Sequence, residues 1–546
     1  MKMELPEFRP EERTPLVETL LAIIRVLLDR YQQLEETVLQ LRDEIAILKG
    51  QKPRPKIKPS SLESATPPSQ QEAAQKEKPD KRPGSEKRSK NAELTIHRRV
   101  PLYIDDLPPG AVFKGYEPYV VQELRVACHA TRYWRARYQL PAGGSVLAPL
   151  PADVRPGSHF GPTLVSYVLD QYHQAHVTQP LLLQQLQDYG IDISAGQLNR
   201  LLTEGNDAFH DEKAEVLAAG LRTAAYIGAD DTGARHQGRN GYCTAIGNDL
   251  FACFASTDSK SRLNFLQVLH GGRRLYALND VARAYWERQG LAAAVGEQLG
   301  RGPQEFADES AWQARLAGLG ITGERPVRIA TEGALLGGLI ARGVSPELVV
   351  LSDGAPQFDV LVHASCWVHA ERPLARMVPY HDEHRAAIER LRTQVWELYQ
   401  DLKAYQRQPG AAQRPLLEAR FAALCDQQTG YPRLDGVLQE MRAHRADLLR
   451  VLERPEVPLH NNAEESDIRE YVQRRKVSGG TRGAAGRRCR DTFTSLKKTC
   501  RKLGVNFWDY LRDRVRGLGQ VPRLAELIRQ RAREKQAVPV AAVPVS

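Results

Sequence analysis

The sequence predicts a multi-domain α/β chain, and three observations lead to that class. Its 546 residues exceed what one hydrophobic core usually supports. Its patterning changes from a heptad repeat to low-complexity charge, then to short strands, then to helices. Two apolar, strand-like runs, one through Ile227 and one over Leu348-Val349-Val350-Leu351, lead into acidic residues, with long helical stretches between and after them. Lys and Arg outnumber Asp and Glu by 76 to 66, so nucleic acid is the first partner to consider. The 7 cysteines are scattered without a CxxC pair, which fits a reducing cytosol. No apolar run is long enough for a membrane span, and MKMELPEFRPEER lacks the apolar core of a signal peptide, so no membrane partner is expected.

Over residues 1–50, Leu20, Leu27, Leu34, Leu41 and Leu48 keep one heptad register and Val17, Ile24, Tyr31, Val38 and Ile45 the other. β-branched residues at most a positions with Leu at d favour a parallel two-stranded coiled coil, hence a homodimer or higher oligomer. The other reading is one amphipathic helix docked on its own protein. Residues 51–95, rich in Pro, Lys, Ser, Gln and Glu, have little to bury and predict a disordered basic linker. Residues 96–156 predict a small β module, in which Arg132, Arg135 and Arg137 interleave with Tyr133, Trp134 and Tyr138. Residues 157–222 predict a helical DNA-binding region. Within it, a helix, a turn at Tyr189-Gly190-Ile191-Asp192 and a second helix capped by Ser194 form a helix-turn-helix-like pattern. Gln197, Asn199 and Arg200 then stand near the start of a candidate recognition helix, although αα-hairpins are common in any helical protein.

Residues 223–515 carry the candidate catalytic chemistry, with helical insertions at about 271–345 and 381–455, and residues 516–546 read as a C-terminal tail. The segment from Tyr226 reads as three strands with turns at Gly238-Arg239-Asn240-Gly241 and Gly247-Asn248-Asp249, the first strand ending at Asp230-Asp231. A later strand ends at Asp353-Gly354, and a helix after Pro458 places Glu464 and Glu465 in its first turn. Each has a plain reading: Asp-Asp-Thr-Gly and Asp-Gly are turn sequences, and Asn462 with Glu465 resembles a capping box, with Arg469 an i,i+4 partner. Taken in order, however, an acid on a first strand, an acid ending a later strand and a Glu on a following helix form the arrangement of an RNase H-like nuclease. Two divalent cations, Mg²⁺ or Mn²⁺, roughly 3.5–4 Å apart require such a set of carboxylates around the reacting phosphate.

From the coiled coil to about Val515 the chain resembles the IS66 family of insertion-sequence transposases. Asp230-Asp231-Thr232, Asp353-Gly354, Cys366-Trp367-Val368-His369-Ala370 and Asn461-Asn462-Ala463-Glu464-Glu465-Ser466-Asp467-Ile468-Arg469 resemble its motifs in order. The resemblance implies a DDE transposase whose catalytic and metal-binding acids are Asp230, Asp353 and Glu465, with Asp231 as the neighbour of the first. Asp231 and His369 are candidate accessory groups, His369 either orienting a phosphate or moving a proton, or packing beside Trp367. The resemblance further implies terminal inverted repeats and target DNA as partners, accessory transposition proteins, and a bacterial cytoplasmic, nucleoid-associated setting. Departures are the absent CxxC pairs, which leave a zinc-finger-like module without zinc, Ser466 and Glu371 at positions where the family has Arg, and a long interval from Asp230 to Asp353. Between Arg469 and Lys502 lie twelve Lys or Arg against two acids, predicting a basic DNA-facing surface that includes Arg469, Arg474, Arg475, Lys476, Arg482, Arg487 and Arg488. The competing functions are a nuclease or resolvase without strand transfer and a domesticated DNA-binding protein.

Overall fold

The computed structural model describes residues 96–537, interrupted at 104–110, 152–153, 155–157 and at positions 112, 115, 118 and 125, together with the isolated positions 14, 17, 24 and 30. The coiled coil of 1–50, apart from those four positions, and the linker of 51–95 lie outside the described residues. Of the β module expected over 96–156, one short hairpin is present among the described residues, β1 (Arg137–Gln139) paired with β2 (Ser145–Leu147). Its strands are exposed on both faces, as are Tyr119, Leu124 and Trp134, so the alternation there buries no core.

Four helices follow: α1 (Pro162–His173), α2 (Gln179–Asp188), α3 (Ala195–Thr203) and α4 (Asp207–Thr223). The α2–α3 hairpin forms as its residues dictate. Ser194 caps α3, its Oγ accepting the Gln197 N–H while the Gln197 side chain accepts the Ser194 N–H, a reciprocal capping box. Leu182, Leu186, Leu198 and Leu202 are buried between these helices.

The sheet contains β3 (Tyr226–His236), β4 (Arg239–Gly247), β5 (Ala252–Thr257), β8 (Val349–Ser352) and β9 (Val362–Ser365) in the order β5-β4-β3-β8-β9. β3, β4 and β5 are antiparallel neighbours, while β3, β8 and β9 run parallel. β3 does not end at its acids, as the sequence suggests, but continues past them to His236. The cause is the hairpin turn, which sits at Gln237-Gly238 with positive φ at both residues, earlier than Gly238–Gly241. That backbone matches the twist of the strands it joins and allows full pairing from Gly228 to His236.

Between β5 and β8 stand α5 (Arg262–Leu269), α6 (Asp280–Arg288), α7 (Ala293–Leu299), α8 (Glu309–Gly318) and α9 (Glu324–Ala341), with the small pair β6 (Tyr276–Ala277) and β7 (Glu305–Phe306). Mainly helical structure thus fills the chain between β5 and β8. After β9 come α10 (Trp367–Arg376), α11 (Asp382–Arg407), α12 (Gln413–Cys425), α13 (Pro432–Ala443) and the short α14 (Arg445–Leu448). They enclose their own core, in which Trp367, Tyr399, Phe421 and Tyr431 are fully buried.

The chain then returns to the sheet through α15 (Asn462–Ser478) and α16 (Ala484–Lys502). α16 lies along the edge strand β5 and satisfies its free backbone groups. The Ala252 N–H donates to Thr499 Oγ1 (3.2 Å), Phe254 N–H to Ser495 Oγ (2.8 Å) and Ser256 N–H to Asp491 (2.7 Å). Donors two residues apart on a strand meet acceptors four apart on a helix, so the edge is closed to pairing with another strand.

That packing corrects the expectation of a continuous basic surface. Arg474, Arg490, Lys497 and Lys498 are buried. Lys497 and Lys498 both pair with Glu470, and Lys498 also reaches Asp467 at 3.2 Å. Arg474 lies over the ring of Tyr172, 4.7 Å from its centroid, with Nη1 3.1 Å from His173 Nδ1. These cations hold α1, α15 and α16 together, so Arg474 is removed from the DNA-binding set. The C-terminal tail is corrected as well: α17 (Phe507–Arg516) is followed by α18 (Leu524–Ala537), which buries Leu524, Ala525, Ile528 and Ala532 and packs on α4.

Candidate active site

Asp230 and Asp231 are adjacent on β3 and therefore point to opposite faces of the sheet. Asp231 is fully engaged: Oδ1 accepts from Thr244, its neighbour in register on β4, and Oδ2 accepts from Gln357 Nε2 at 3.0 Å, with Lys260 4.0 Å away. Asp230 shares its face with Gly228 and Thr232, the face covered by α15. Arg475 of α15 stands 3.5 Å from Thr232 Oγ1. A Cβ on Gly228 would lie 2.2 Å from Cδ of Glu464, so glycine is what lets the helix approach the strand there.

Glu465 follows Glu464 in the first turn of α15. The capping-box reading of Glu465 is corrected here: the cap position is Asn461 rather than Asn462, and no side chain caps the helix. The carboxylate is therefore free for another task. Its Oε1 stands 3.6 Å from His369 Nε2 and 3.7 Å from Arg372 Nη2, and it has no hydrogen-bond partner although buried. Oε2 lies 3.9 Å from Arg469, the expected i,i+4 partner. Arg372 is absent from the sequence-based set, but its signal was present, since it sits three residues after His369 on one face of α10. Glu371, which stands where the related family has Arg, is buried and bonded to Arg392 at 2.8 Å.

Asp353 follows β8 in an exposed turn, with Oδ1 accepting the Ala355 N–H at 3.0 Å and Gly354 at φ 89°. A cavity of about 130 Å³ opens beside it, lined by Gly354, His369, Val437 and His444 among others.

The charges of Asp353 and Glu465 act on Asp230. Burial, followed by the negative charges of Asp353, Glu465 and Asp231, pushes the Asp230 carboxyl up to about 7. Glu464, behind it, is also pushed up to about 7, by burial and then by Asp467 and Asp230 against the opposing charge of Lys502. His369 is held below the ordinary histidine range by burial and by Arg372, with Glu465 and Asp353 acting in the other direction. As positioned, no three His, Cys, Asp or Glu side chains among the described residues converge tightly enough to enclose an ion. The oxygen donors are of the type that hard divalent cations take, and both Glu465 Oε1, which accepts no hydrogen bond, and the negative charge beside Asp230 are what a cation would relieve.

The nucleic-acid candidates fall into three groups. On α3, Asn199 and Arg200 are exposed, whereas Gln197 is committed to its capping box. Arg469, Lys476 and Arg482 are exposed, and Arg475 reaches over β3 beside Asp230. Arg487 pairs with Asp258 at 2.8 Å, and Arg488 lies 3.8 Å from Asp207. No helix among the described residues is long and apolar enough to cross a membrane.

Two comparisons bear on this arrangement. Residues 354–488, which begin beside Asp353 and include His369 and Glu465, match the family described as Transposase IS66 family. A protein of Sinorhizobium fredii (strain NBRC 101917 / NGR234), named "Uncharacterized protein y4jO", is 41% identical over 321 residues, 58% of this chain and all of that protein. With motif order and matched region in agreement, the chain belongs to the IS66 family of transposases.

Proposed function

We propose that this chain binds the ends of a mobile DNA element and carries out metal-dependent strand cleavage and strand transfer, with Asp230, Asp353 and Glu465 as the acids of a DDE site. The observation that carries this reading is a buried strand carboxyl, Asp230, pushed up to about 7 by burial and then by the negative charges of Asp353, on a turn, and Glu465, on a helix. Carboxylates brought together without a hydrogen-bonded cation are costly, and such sites are common where a metal completes the charge balance. The strand order β5-β4-β3-β8-β9, with the third acid on the helix returning to β3, supports an RNase H-like core.

Asp230, Asp353 and Glu465 are the groups that would hold two Mg²⁺ or Mn²⁺ ions. When bound, such ions activate the attacking water or 3′-hydroxyl and stabilise the leaving oxygen of an in-line displacement. The protein supplies position. Pairing with Ala245 of β4 fixes Asp230, just beyond the stretch of β3 that pairs with β8, while His369 and Arg372 orient Glu465 from α10. His369, neutral at physiological pH because its pKa is depressed, is available to accept a proton at the reacting oxygen. Lys476 and Arg482, exposed beyond this edge, are placed to hold phosphates of the DNA backbone.

An assay with paired terminal repeats and labelled target DNA tests the function. Joined products that require Mg²⁺ or Mn²⁺ are expected; cleavage without joining would indicate a nuclease, and binding without cleavage a DNA-binding protein. Replacing Lys476 and Arg482 with Gln should weaken DNA binding on all sequences and reduce the slope of log K against log salt by about one to two. Fluorescence anisotropy at several salt concentrations checks this, and an unchanged slope with altered sequence preference would show that these residues read bases.

A further inference from the structure

Ser352, His363 and Asp447 form a hydrogen-bonded chain behind the turn that carries Asp353. Ser352 Oγ lies 2.8 Å from His363 Nε2, and His363 Nδ1 lies 3.1 Å from Asp447 Oδ2. The order resembles a nucleophilic triad, but Ser352 is completely buried at the end of β8 and cannot meet a substrate. Its oxygen has another task, accepting the Gly354 N–H at 3.1 Å. The carboxylate assigns the imidazole proton to Nδ1 and leaves Nε2 to accept from the serine hydroxyl, so the chain runs in one direction from Gly354 N–H to Asp447. Asp447 is itself fixed: Arg450 Nη2 stands 3.6 Å from its Oδ1, and Arg450 Nε donates to the His363 carbonyl at 3.1 Å.

Three separate elements are joined by these bonds. Ser352 ends β8, His363 lies on β9 and Asp447 belongs to α14, in the helical insertion between Asp353 and Glu465. Asp353 itself is exposed, and among the described residues its carboxylate accepts one hydrogen bond, from the Ala355 N–H, while Gly354 adopts a left-handed conformation. Without an external support, the second acid of the site would sit on a turn with wide freedom.

We propose that His363 and Asp447 are positioning residues for the metal-binding acid Asp353, acting through Ser352 and the Gly354 N–H, and that this is how the helical insertion is coupled to the active site. The inference rests on the metal-binding reading of Asp353. Replacing groups that orient a metal ligand from behind typically costs roughly ten- to a hundredfold in metal affinity or activity.

The test uses the full chain and measures Mn²⁺ binding by calorimetry, the Mn²⁺ concentration that half-saturates cleavage, and the thermal melt. Asp447→Asn and His363→Phe are expected to weaken Mn²⁺ binding by on the order of tenfold, with cleavage recovering at high Mn²⁺. His363→Gln, which keeps an acceptor for the Ser352 hydroxyl, should fall between His363→Phe and the unaltered protein. Ser352→Ala removes the link with the smallest change of shape and serves if the larger changes prevent folding. Asp353→Asn is the reference. If Asp353→Asn weakens Mn²⁺ binding while folded Ser352→Ala and Asp447→Asn bind it normally, the positioning role is wrong. If Asp353→Asn also binds Mn²⁺ normally, the metal reading of the site fails, and this inference with it.

Discussion

Asp230→Asn is expected to abolish strand cleavage, by roughly a thousandfold or more, and at the same time to make the metal-free protein more stable. Both effects follow from one fact: the folded chain holds this carboxyl where its charge is unfavourable, with a pKa of about 7 against an ordinary 3.8. A carboxyl whose pKa is raised by folding contributes stability that is fully present below its unfolded value and is lost as pH rises towards the folded one. Relative to Asp230, Asn should therefore be neutral below about pH 4, gain steadily to about pH 7 and hold a constant advantage above it. Thermal melts of both proteins in chelator at pH 4, 6 and 8 check the gain, expected to reach on the order of a few degrees at pH 8. Excess Mn²⁺ should reverse the order, because the unaltered site binds what the variant cannot. A variant less stable than the parent at pH 8 in chelator would show that Asp230 is held by favourable contacts and is no poised ligand.

Glu470→Gln should produce the largest loss of stability, roughly 3–5 kcal/mol. Burial works against the charge of Glu470, but the contacts from His176, Lys497 and Lys498 outweigh it and hold the carboxyl far below the ordinary glutamate range. The cost of burial appears on the other side of the pair, where Lys497 is pulled down to about 8. Glutamine removes the counter-charge while leaving Lys497 enclosed, and α15 loses its main ionic attachment to α16. Since the folded pKa is depressed, the stabilisation is present above the unfolded value, near 4.5, and is lost only as pH falls through the folded one. The difference between the two proteins should thus be the same at pH 7 and pH 5. Urea denaturation at both values checks it, and a difference below about 1 kcal/mol at pH 7 would mean that the network behaves as a surface one.

What could be read from the sequence, and what could not, divides along physical lines. Local signals were legible: Ser194 with Gln197 gave the cap of α3, and the apolar run Val349–Leu351 gave a buried strand leading into Asp353. The elements that carry the proposed acids were legible in their order, a strand with Asp230, a strand leading into Asp353 and a helix with Glu465 in its first turn. The extent of β3 was not, since Asp-Asp-Thr-Gly has turn composition and only pairing with β4 keeps it extended. Counting charge misled for Arg474, Lys497 and Lys498, because burial depends on partners such as Tyr172, Asp467 and Glu470 that a tally of one stretch does not pair with them. Asp491, Ser495 and Thr499, one polar residue per turn of a basic helix, were the missed sign that α16 serves a strand edge. Leu524, Ile528 and Ala532, at intervals of four, were likewise a legible apolar face in what reads as a tail.

The proposed site has Asp230, Asp353 and Glu465 sharing metal ions. Anomalous diffraction from crystals grown with Mn²⁺ tests it most directly. Manganese peaks bounded by these three carboxylates are expected, with Glu464 and Asp231 outside the ligand set and the peaks lost in Asp230→Asn crystals. Manganese bound elsewhere with these acids unliganded, or peaks that persist unchanged in Asp230→Asn, would contradict it.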